Sequence, residues 1–80
     1  MLVYLNGEYL PHAEARVSVD DRGFLFADGV YEVIRVYKGR PYLLKEHIER
    51  LARGLDALEI RFDGVSELEA VSQRLIEENG

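Results

Sequence analysis

The segment that most constrains the fold is residues 29–37, Gly-Val-Tyr-Glu-Val-Ile-Arg-Val-Tyr. It is rich in β-branched and aromatic residues, which favour a β-strand. Successive side chains of a strand point to opposite faces, so each face carries three apolar or aromatic residues and one charge: Val30, Glu32, Ile34 and Val36 on one face, and Tyr31, Val33, Arg35 and Tyr37 on the other. Both faces are mostly apolar, so we expect this strand to be covered on two sides.

Residues that favour turns occur in the chain both before and after this strand. Asn6-Gly7 predicts a tight hairpin, because both central positions accept positive φ, and Pro11 ends its second strand. Residues 20–23, Asp-Asp-Arg-Gly, predict a turn, and the two aromatic residues of 24–29 predict a loop held by buried rings. Lys38-Gly39 predicts a second hairpin turn, which leads into a short strand near residues 40–43.

Two helices are expected to follow the strands. Five apolar residues repeat at helical spacing and form one stripe: Leu44, Ile48, Leu51, Leu55 and Leu58. A second helix is predicted from a capping box of Ser66 and Glu69 to a C-cap at Asn79-Gly80. Its apolar stripe is Leu68, Val71 and Leu75. This order predicts an α+β fold, in which an antiparallel sheet of short strands is followed by two helices packed on it.

Composition excludes several functional classes. The chain has 80 residues, enough for one small domain, and it has no cysteine, which excludes disulfides, cysteine-based metal centres and thiol catalysis. A net charge of −5 argues against nucleic acid and against an anionic membrane surface as partners. No apolar run approaches the roughly 20 residues of a membrane span, so we expect a cytoplasmic protein.

The strongest candidate for ligand binding is one flank of the first helix. His47, Arg50 and Gly54 share this flank, and the planar guanidinium of Arg50 suits a phosphate. An ion pair of Arg50 with Glu46 or Glu49 on a solvated surface is the alternative. The other histidine, His12, is expected at the surface, and no metal-ligand spacing or nucleophile motif is present.

Three stretches together resemble the start of class IV aminotransferases, the pyridoxal-phosphate enzymes of fold type IV. They are Asp-Arg-Gly-Phe-Leu-Phe-Ala-Asp-Gly-Val-Tyr-Glu-Val at 21–33, Tyr-Lys-Gly at 37–39 and Glu-His-Ile-Glu-Arg-Leu at 46–51. The resemblance extends over residues 4–58. Residues 28–33, followed by Val36-Tyr37, are most similar to D-amino-acid transaminases, whereas branched-chain enzymes more often carry Phe-Glu-Gly at positions 31–33. Branched-chain transaminases and aminodeoxychorismate lyases remain the alternatives within the family.

The resemblance assigns expected roles to individual residues. Arg50 matches the arginine that binds the cofactor phosphate, and Tyr31 and Val33 match residues that line the substrate pocket. His47 lies near that pocket, one turn before Arg50, in a supporting role. Four further residues are expected to scaffold the active-site loop: Asp21, Arg22, Phe26 and Gly29.

The family pattern also implies residues that this chain does not contain. Family members are several times longer, and a second, large domain supplies the lysine that holds the cofactor covalently. The only lysines here are Lys38, in a predicted turn, and Lys45, in the first turn of a helix; both look solvated, whereas such a lysine needs a pocket that lowers its pKa. We therefore expect no catalytic residue in this chain.

The resulting expectation is that residues 1–80 are the N-terminal part of the small domain of a pyridoxal-phosphate transaminase. The intact enzyme would act on a (D-)amino acid and a 2-keto acid as a homo-oligomer, and this chain alone would not retain the cofactor. A non-catalytic module that self-associates through an exposed strand edge is the alternative of a different class.

Overall fold

The computed structural model describes residues 1–80. Its four strands form two separate antiparallel pairs: β1 (Leu2–Leu5) with β2 (Glu8–Pro11), and β3 (Val36–Tyr37) with β4 (Arg40–Pro41). The three α-helices are α1 (Arg22–Phe26), α2 (Leu44–Ala57) and α3 (Leu68–Asn79), with 3₁₀ turns at His12–Glu14 and Val65–Glu67. The predicted α+β class is confirmed, and helix α3 packs against both β1 and α2. No helix has the length and apolarity that crossing a bilayer requires.

Both predicted hairpin turns are present. Asn6 and Gly7 have φ of 50° and 84°, and Lys38 and Gly39 have φ of 50° and 78°. Such paired positive values match the twist of the strands that they join, and they are why Asn-Gly and related pairs signal hairpins. Pro11 is the last residue of β2, as predicted.

The predicted strand over residues 29–37 is largely wrong as a hydrogen-bonded strand. Only Val36–Tyr37 joins a ladder, with one further backbone hydrogen bond from Tyr42 N to Arg35 O at 2.7 Å. A strand needs a neighbour for its backbone groups, and no other part of this chain lies beside residues 29–34 in a ladder. Local β-propensity is therefore not sufficient here.

The predicted alternation of faces does hold over residues 30–35. Val30, Glu32 and Ile34 are half-buried on one side, whereas their neighbours face solvent on the other. Tyr31 is 84% exposed and Val33 is 74% exposed, so the expectation that both faces are covered is wrong for this chain. The inner face packs on α2, and nothing in residues 1–80 covers the outer one.

The first of the two long helices follows its prediction closely. Leu44 and Leu55 of α2 are buried and, with Val71 of α3, form the small core. Leu58 was expected in the same apolar stripe, but it lies beyond the end of α2 and is exposed.

The predicted capping box of Ser66 and Glu69 is not formed. A 3₁₀ turn runs directly into α3, no side chain caps the helix, and Glu67 already has helical φ and ψ of −95° and −12°. A capping serine needs an extended backbone just before the helix, and Ser66 lies inside the 3₁₀ turn instead. The C-cap at Gly80 is as predicted, with φ of 73°.

The 20–29 region differs from its prediction in two respects. Instead of a simple turn, Asp21 caps the short helix α1 by accepting a hydrogen bond from Gly23 N at 2.9 Å. Phe24 and Phe26 are exposed, so the prediction of a loop held by buried rings is wrong. The Arg22 guanidinium lies 5.0 Å from the centre of the Phe26 ring, and it is the only charge stacked on that ring. With no second layer over α1, the rings have nothing to pack into.

Candidate functional site

Three side chains from two elements meet on one flank of α2. His47 and Arg50 lie one helical turn apart, and Glu32 reaches them from the inner face of residues 30–35. Arg50 donates through Nε to Glu32 Oε2 at 2.8 Å and through Nη2 to Oε1 at 2.7 Å. His47 Nδ1 lies 2.5 Å from Oε1 and must be the donor, because a carboxylate only accepts. We refer to Glu32, His47 and Arg50 as the carboxylate clamp.

The electrostatics of the clamp keep its central carboxylate ionised. The Glu32 side chain is only 10% exposed, yet its pKa is lowered from 4.5 to about 2, first by the hydrogen bonds from Arg50 and then by the one from His47. Hydrogen bonds to the charged form outweigh the opposing effect of desolvation. The same contact with Glu32 raises the pKa of Arg50. The pair is therefore charged at every pH near neutrality.

The clamp corrects one sequence interpretation. Glu46 and Glu49 were the ion-pair partners considered for Arg50, but the carboxylate that holds it is Glu32, 18 positions away. No local spacing links residues so far apart. The available signal was that Glu32 is the single charge on the inner face of its segment, since a charge on a face that becomes buried requires a partner.

Arg50 retains an open side despite this contact. Its side chain is 65% exposed, and the guanidinium has five N–H donors in a planar fork, of which Glu32 takes two. Beside it lies a shallow cavity of about 240 Å³. Its lining consists of Leu43, Glu46, His47, Arg50 and Arg53. An arginine held along one edge and open along the other can bind an anion in a fixed orientation.

Gly54 completes the flank that holds the clamp. A Cβ at this position would lie 3.2 Å from Cγ1 of Val30, which is closer than an ordinary carbon–carbon contact. The absence of a side chain therefore lets residue 30 approach α2. Because Val30 and Glu32 share a face, this close approach also brings the Glu32 carboxylate within reach of Arg50.

Neither of the expected pocket residues lines the cavity beside Arg50. Tyr31 borders a separate groove of about 310 Å³ whose lining includes Glu32 and His47, whereas Val33 does not line that groove. Both side chains thus remain on the uncovered outer face, and only Tyr31 also borders a groove that includes clamp residues. Neither side chain has a defined pocket within residues 1–80.

Two of the residues expected to scaffold the active-site loop, Asp21 and Arg22, are held by contacts within the 21–28 segment. Arg22 forms an ion pair with Asp28 at 2.7 Å, and Asp21 caps α1. Lys38 lies in the β3–β4 turn and Lys45 in the first turn of α2; both are exposed and neither belongs to the clamp. His12 is exposed, as predicted, and no cluster of acidic, histidine or cysteine side chains offers a metal site.

The sequence matches the model of one protein family over most of its length. The family model for class IV amino-transferases matches residues 29–80, which include the clamp, α2 and α3. The chain therefore belongs to the class IV aminotransferase family, as the stretches at 21–33, 37–39 and 46–51 predicted.

Individual relatives make the similarity more specific. The chain is 41% identical over 78 residues to the D-alanine aminotransferase of Staphylococcus aureus (strain N315) and 44% identical over 80 residues to that of Staphylococcus haemolyticus. Each of these alignments covers 96% of this chain and 28% of the relative. The chain is also 46% identical over 61 residues to the aminodeoxychorismate lyase of Bacillus subtilis (strain 168). That alignment covers 76% of this chain and 21% of the lyase. The chain thus spans little more than a quarter of the length of the two D-alanine aminotransferases and about a fifth of the length of the lyase.

Proposed function

We propose that this chain is the N-terminal small-domain part of a pyridoxal-phosphate transaminase that moves an amino group between a D-amino acid and a 2-keto acid. The similarity to D-alanine aminotransferases over 96% of the chain supports the reaction. The observation that supports a part for this chain in binding the cofactor phosphate is the carboxylate clamp. It holds one edge of the Arg50 guanidinium and leaves the other open to a phosphate.

The residues present fit the phosphate end of the cofactor. Arg50 would hold the phosphate through charge-assisted hydrogen bonds from its open edge. Glu32 fixes the plane of the guanidinium, and His47 fixes Glu32 by the third hydrogen bond. Tyr31 and Val33, on the other face, would form one wall of the substrate pocket once that face is covered. When bound, pyridoxal phosphate supplies an electron sink that acidifies the α-carbon of the substrate.

The proton-transfer step requires a group that residues 1–80 do not place near the clamp. Lys38 and Lys45 are exposed and sit in a turn and at a helix start. We assign the cofactor-bearing lysine to polypeptide outside this chain, and with it the completed substrate pocket. The same proposal makes the intact enzyme a cytoplasmic homo-oligomer.

The first test adds pyridoxal phosphate to the 80-residue chain, followed by borohydride reduction and intact mass measurement. We expect no characteristic absorbance band and no adduct confined to one lysine. A band together with a single reduced adduct on Lys38 or Lys45 would show that this chain has a cofactor pocket of its own, contrary to the proposal.

A second test uses Arg50→Ala in the longer enzyme that the proposal requires, with Arg61→Ala as the matched control. Arg61 is exposed and makes no ion pair. We expect Arg50→Ala to weaken cofactor retention far more than it lowers the melting temperature of the apo-enzyme, and Arg61→Ala to change neither. Equal losses of retention and of melting temperature in Arg50→Ala would instead indicate that the clamp is only structural.

A lyase acting on aminodeoxychorismate is the second candidate, favoured by the 46% identity over 61 residues. The two activities differ in their requirement for a second substrate. A transaminase releases a keto acid from a D-amino acid only while an acceptor keto acid is consumed, whereas a lyase converts aminodeoxychorismate alone. Turnover of aminodeoxychorismate without an acceptor would favour the lyase.

A further inference from the structure

The charge of Arg50 is already compensated before any phosphate arrives. Glu32 accepts two hydrogen bonds from its guanidinium, although Glu32 itself does not line the cavity beside Arg50. A phosphate monoester near neutral pH carries between one and two negative charges. A phosphate on the open edge of Arg50 would therefore feel the repulsion of the Glu32 carboxylate as well as the attraction of the guanidinium, and a second cation would strengthen the net attraction.

Arg53 is placed to supply that cation. It follows Arg50 by three residues on α2, so the two side chains lie on neighbouring turns of one face, and both line the 240 Å³ cavity. No carboxylate lies within 4.0 Å of the Arg53 guanidinium, and no side-chain hydrogen bond engages it. The other cationic residue of α2, Lys45, lies in its first turn and lines a different depression.

Two neighbours bear on the charge of this cavity. His47 already donates Nδ1 to Glu32, so that nitrogen is not available to an anion. Glu46 also lines the cavity and opposes an anion there. Arg53 and Glu46 therefore have opposite effects on phosphate affinity in this cavity, and substituting each of them tests those effects.

We propose that Arg53 and Arg50 together bind the phosphate group, with Arg50 setting its orientation and Arg53 supplying the uncompensated positive charge. This inference rests on the proposed function, since it specifies how that phosphate site works. Arg53 acts by direct contact with the anion and has no part in proton transfer.

The experiment titrates the 80-residue chain with inorganic phosphate, at constant ionic strength set by sodium chloride, and follows the arginine side-chain Nε–H resonances by NMR. For the wild-type chain we expect saturable shifts at both Arg50 and Arg53. Arg53→Ala is expected to weaken phosphate affinity about tenfold, the loss of one charge-assisted hydrogen bond. Arg53→Gln, which keeps most of the side-chain length without the charge, should behave in the same way, and Glu46→Gln should strengthen binding. Arg61→Ala is the matched control and should leave affinity unchanged.

The outcomes separate this inference from the function on which it rests. If Arg50→Ala abolishes binding while Arg53→Ala and Arg53→Gln bind as the wild type does, the phosphate site stands and the role of Arg53 is refuted. If the wild-type chain shows no saturable shift, or if Arg50→Ala binds normally, the phosphate contact itself is refuted and the role of Arg53 with it. Backbone NMR spectra of each variant establish that the fold is retained.

Discussion

Substituting Gly54 by alanine places two effects of known sign in opposition. Alanine in a helix interior is more favourable than glycine by about 1 kcal/mol, and Gly54 lies within the last turn of α2, which ends at Ala57. Against this, the new Cβ would meet Cγ1 of Val30 at 3.2 Å, so the facing segment must withdraw by a few tenths of an ångström. Inserting a methyl group into a close contact of this kind costs about 1–3 kcal/mol.

The balance depends on whether Val30 keeps its branched side chain. In the wild-type background we expect Gly54→Ala to leave the free energy of unfolding unchanged or to lower it by up to about 2 kcal/mol. In a Val30→Ala background the contacting Cγ1 is gone, so the helix-propensity gain of about 1 kcal/mol should appear in full. The effect of Gly54→Ala on the free energy of unfolding should thus differ by at least about 1 kcal/mol between the two backgrounds. This difference is larger than the deviation from additivity that independent sites show.

The assay is urea denaturation, followed by far-ultraviolet circular dichroism, of four proteins: the wild-type chain, the two single variants Gly54→Ala and Val30→Ala, and the double variant. A second readout is the pKa of Glu32 measured by NMR. We expect it to rise from about 2 in Gly54→Ala, because withdrawal of residue 30 moves the carboxylate away from Arg50. An equal gain in stability from Gly54→Ala in both backgrounds, with the pKa of Glu32 unchanged, would refute the idea that this glycine sets the approach of residues 30–32 to α2.

Two further predictions concern the clamp and the core. The pKa of Glu32 is lowered from 4.5 to about 2 in the folded chain, so the stabilisation that its carboxylate provides is complete above pH 4.5 and is lost as the pH falls toward 2. Glu32→Gln should therefore remove this part of the acid dependence of stability, measured by urea denaturation between pH 5 and pH 2. An acid profile equal to that of the wild-type chain would contradict this prediction. Leu55 is one of three buried residues, so Leu55→Ala should lower the free energy of unfolding by about 2–5 kcal/mol. Leu58→Ala, at an exposed position, should lower it much less. Similar losses of stability in the two variants, followed by circular dichroism, would refute the assignment of the core.

The parts of the fold that sequence predicts correctly are those that depend on neighbouring residues. The Asn6-Gly7 turn follows from backbone conformations that few residue types adopt, and α2 follows from apolar residues at helical spacing. The capping box at Ser66 fails although its residue types are right, because the backbone reaches α3 through a 3₁₀ turn and not through an extended residue. Cap motifs depend on the backbone that precedes them as well as on their own side chains.

Only the part of the candidate site that lies on α2 could be predicted from the sequence. Helical spacing places His47 and Arg50 on one flank of α2 from sequence, and the structure confirms that placement. The partner of Arg50 was not predictable in the same way. Local spacing favoured Glu46 or Glu49, whereas the contact with Glu32 exists only because residues 30–35 pack across the helix beside Gly54.

The sequence by itself therefore determined the turns, the long helices, the alternation of faces over residues 30–35 and the family to which the chain belongs. The tertiary structure decided which of those faces is covered and which carboxylate holds Arg50. The physical reason is range: propensity and periodicity act within a few residues, but burial and ion pairing depend on segments that are distant in the chain. Tyr31 and Val33 show the consequence, since their apolar character is local, yet no segment of these 80 residues packs over them.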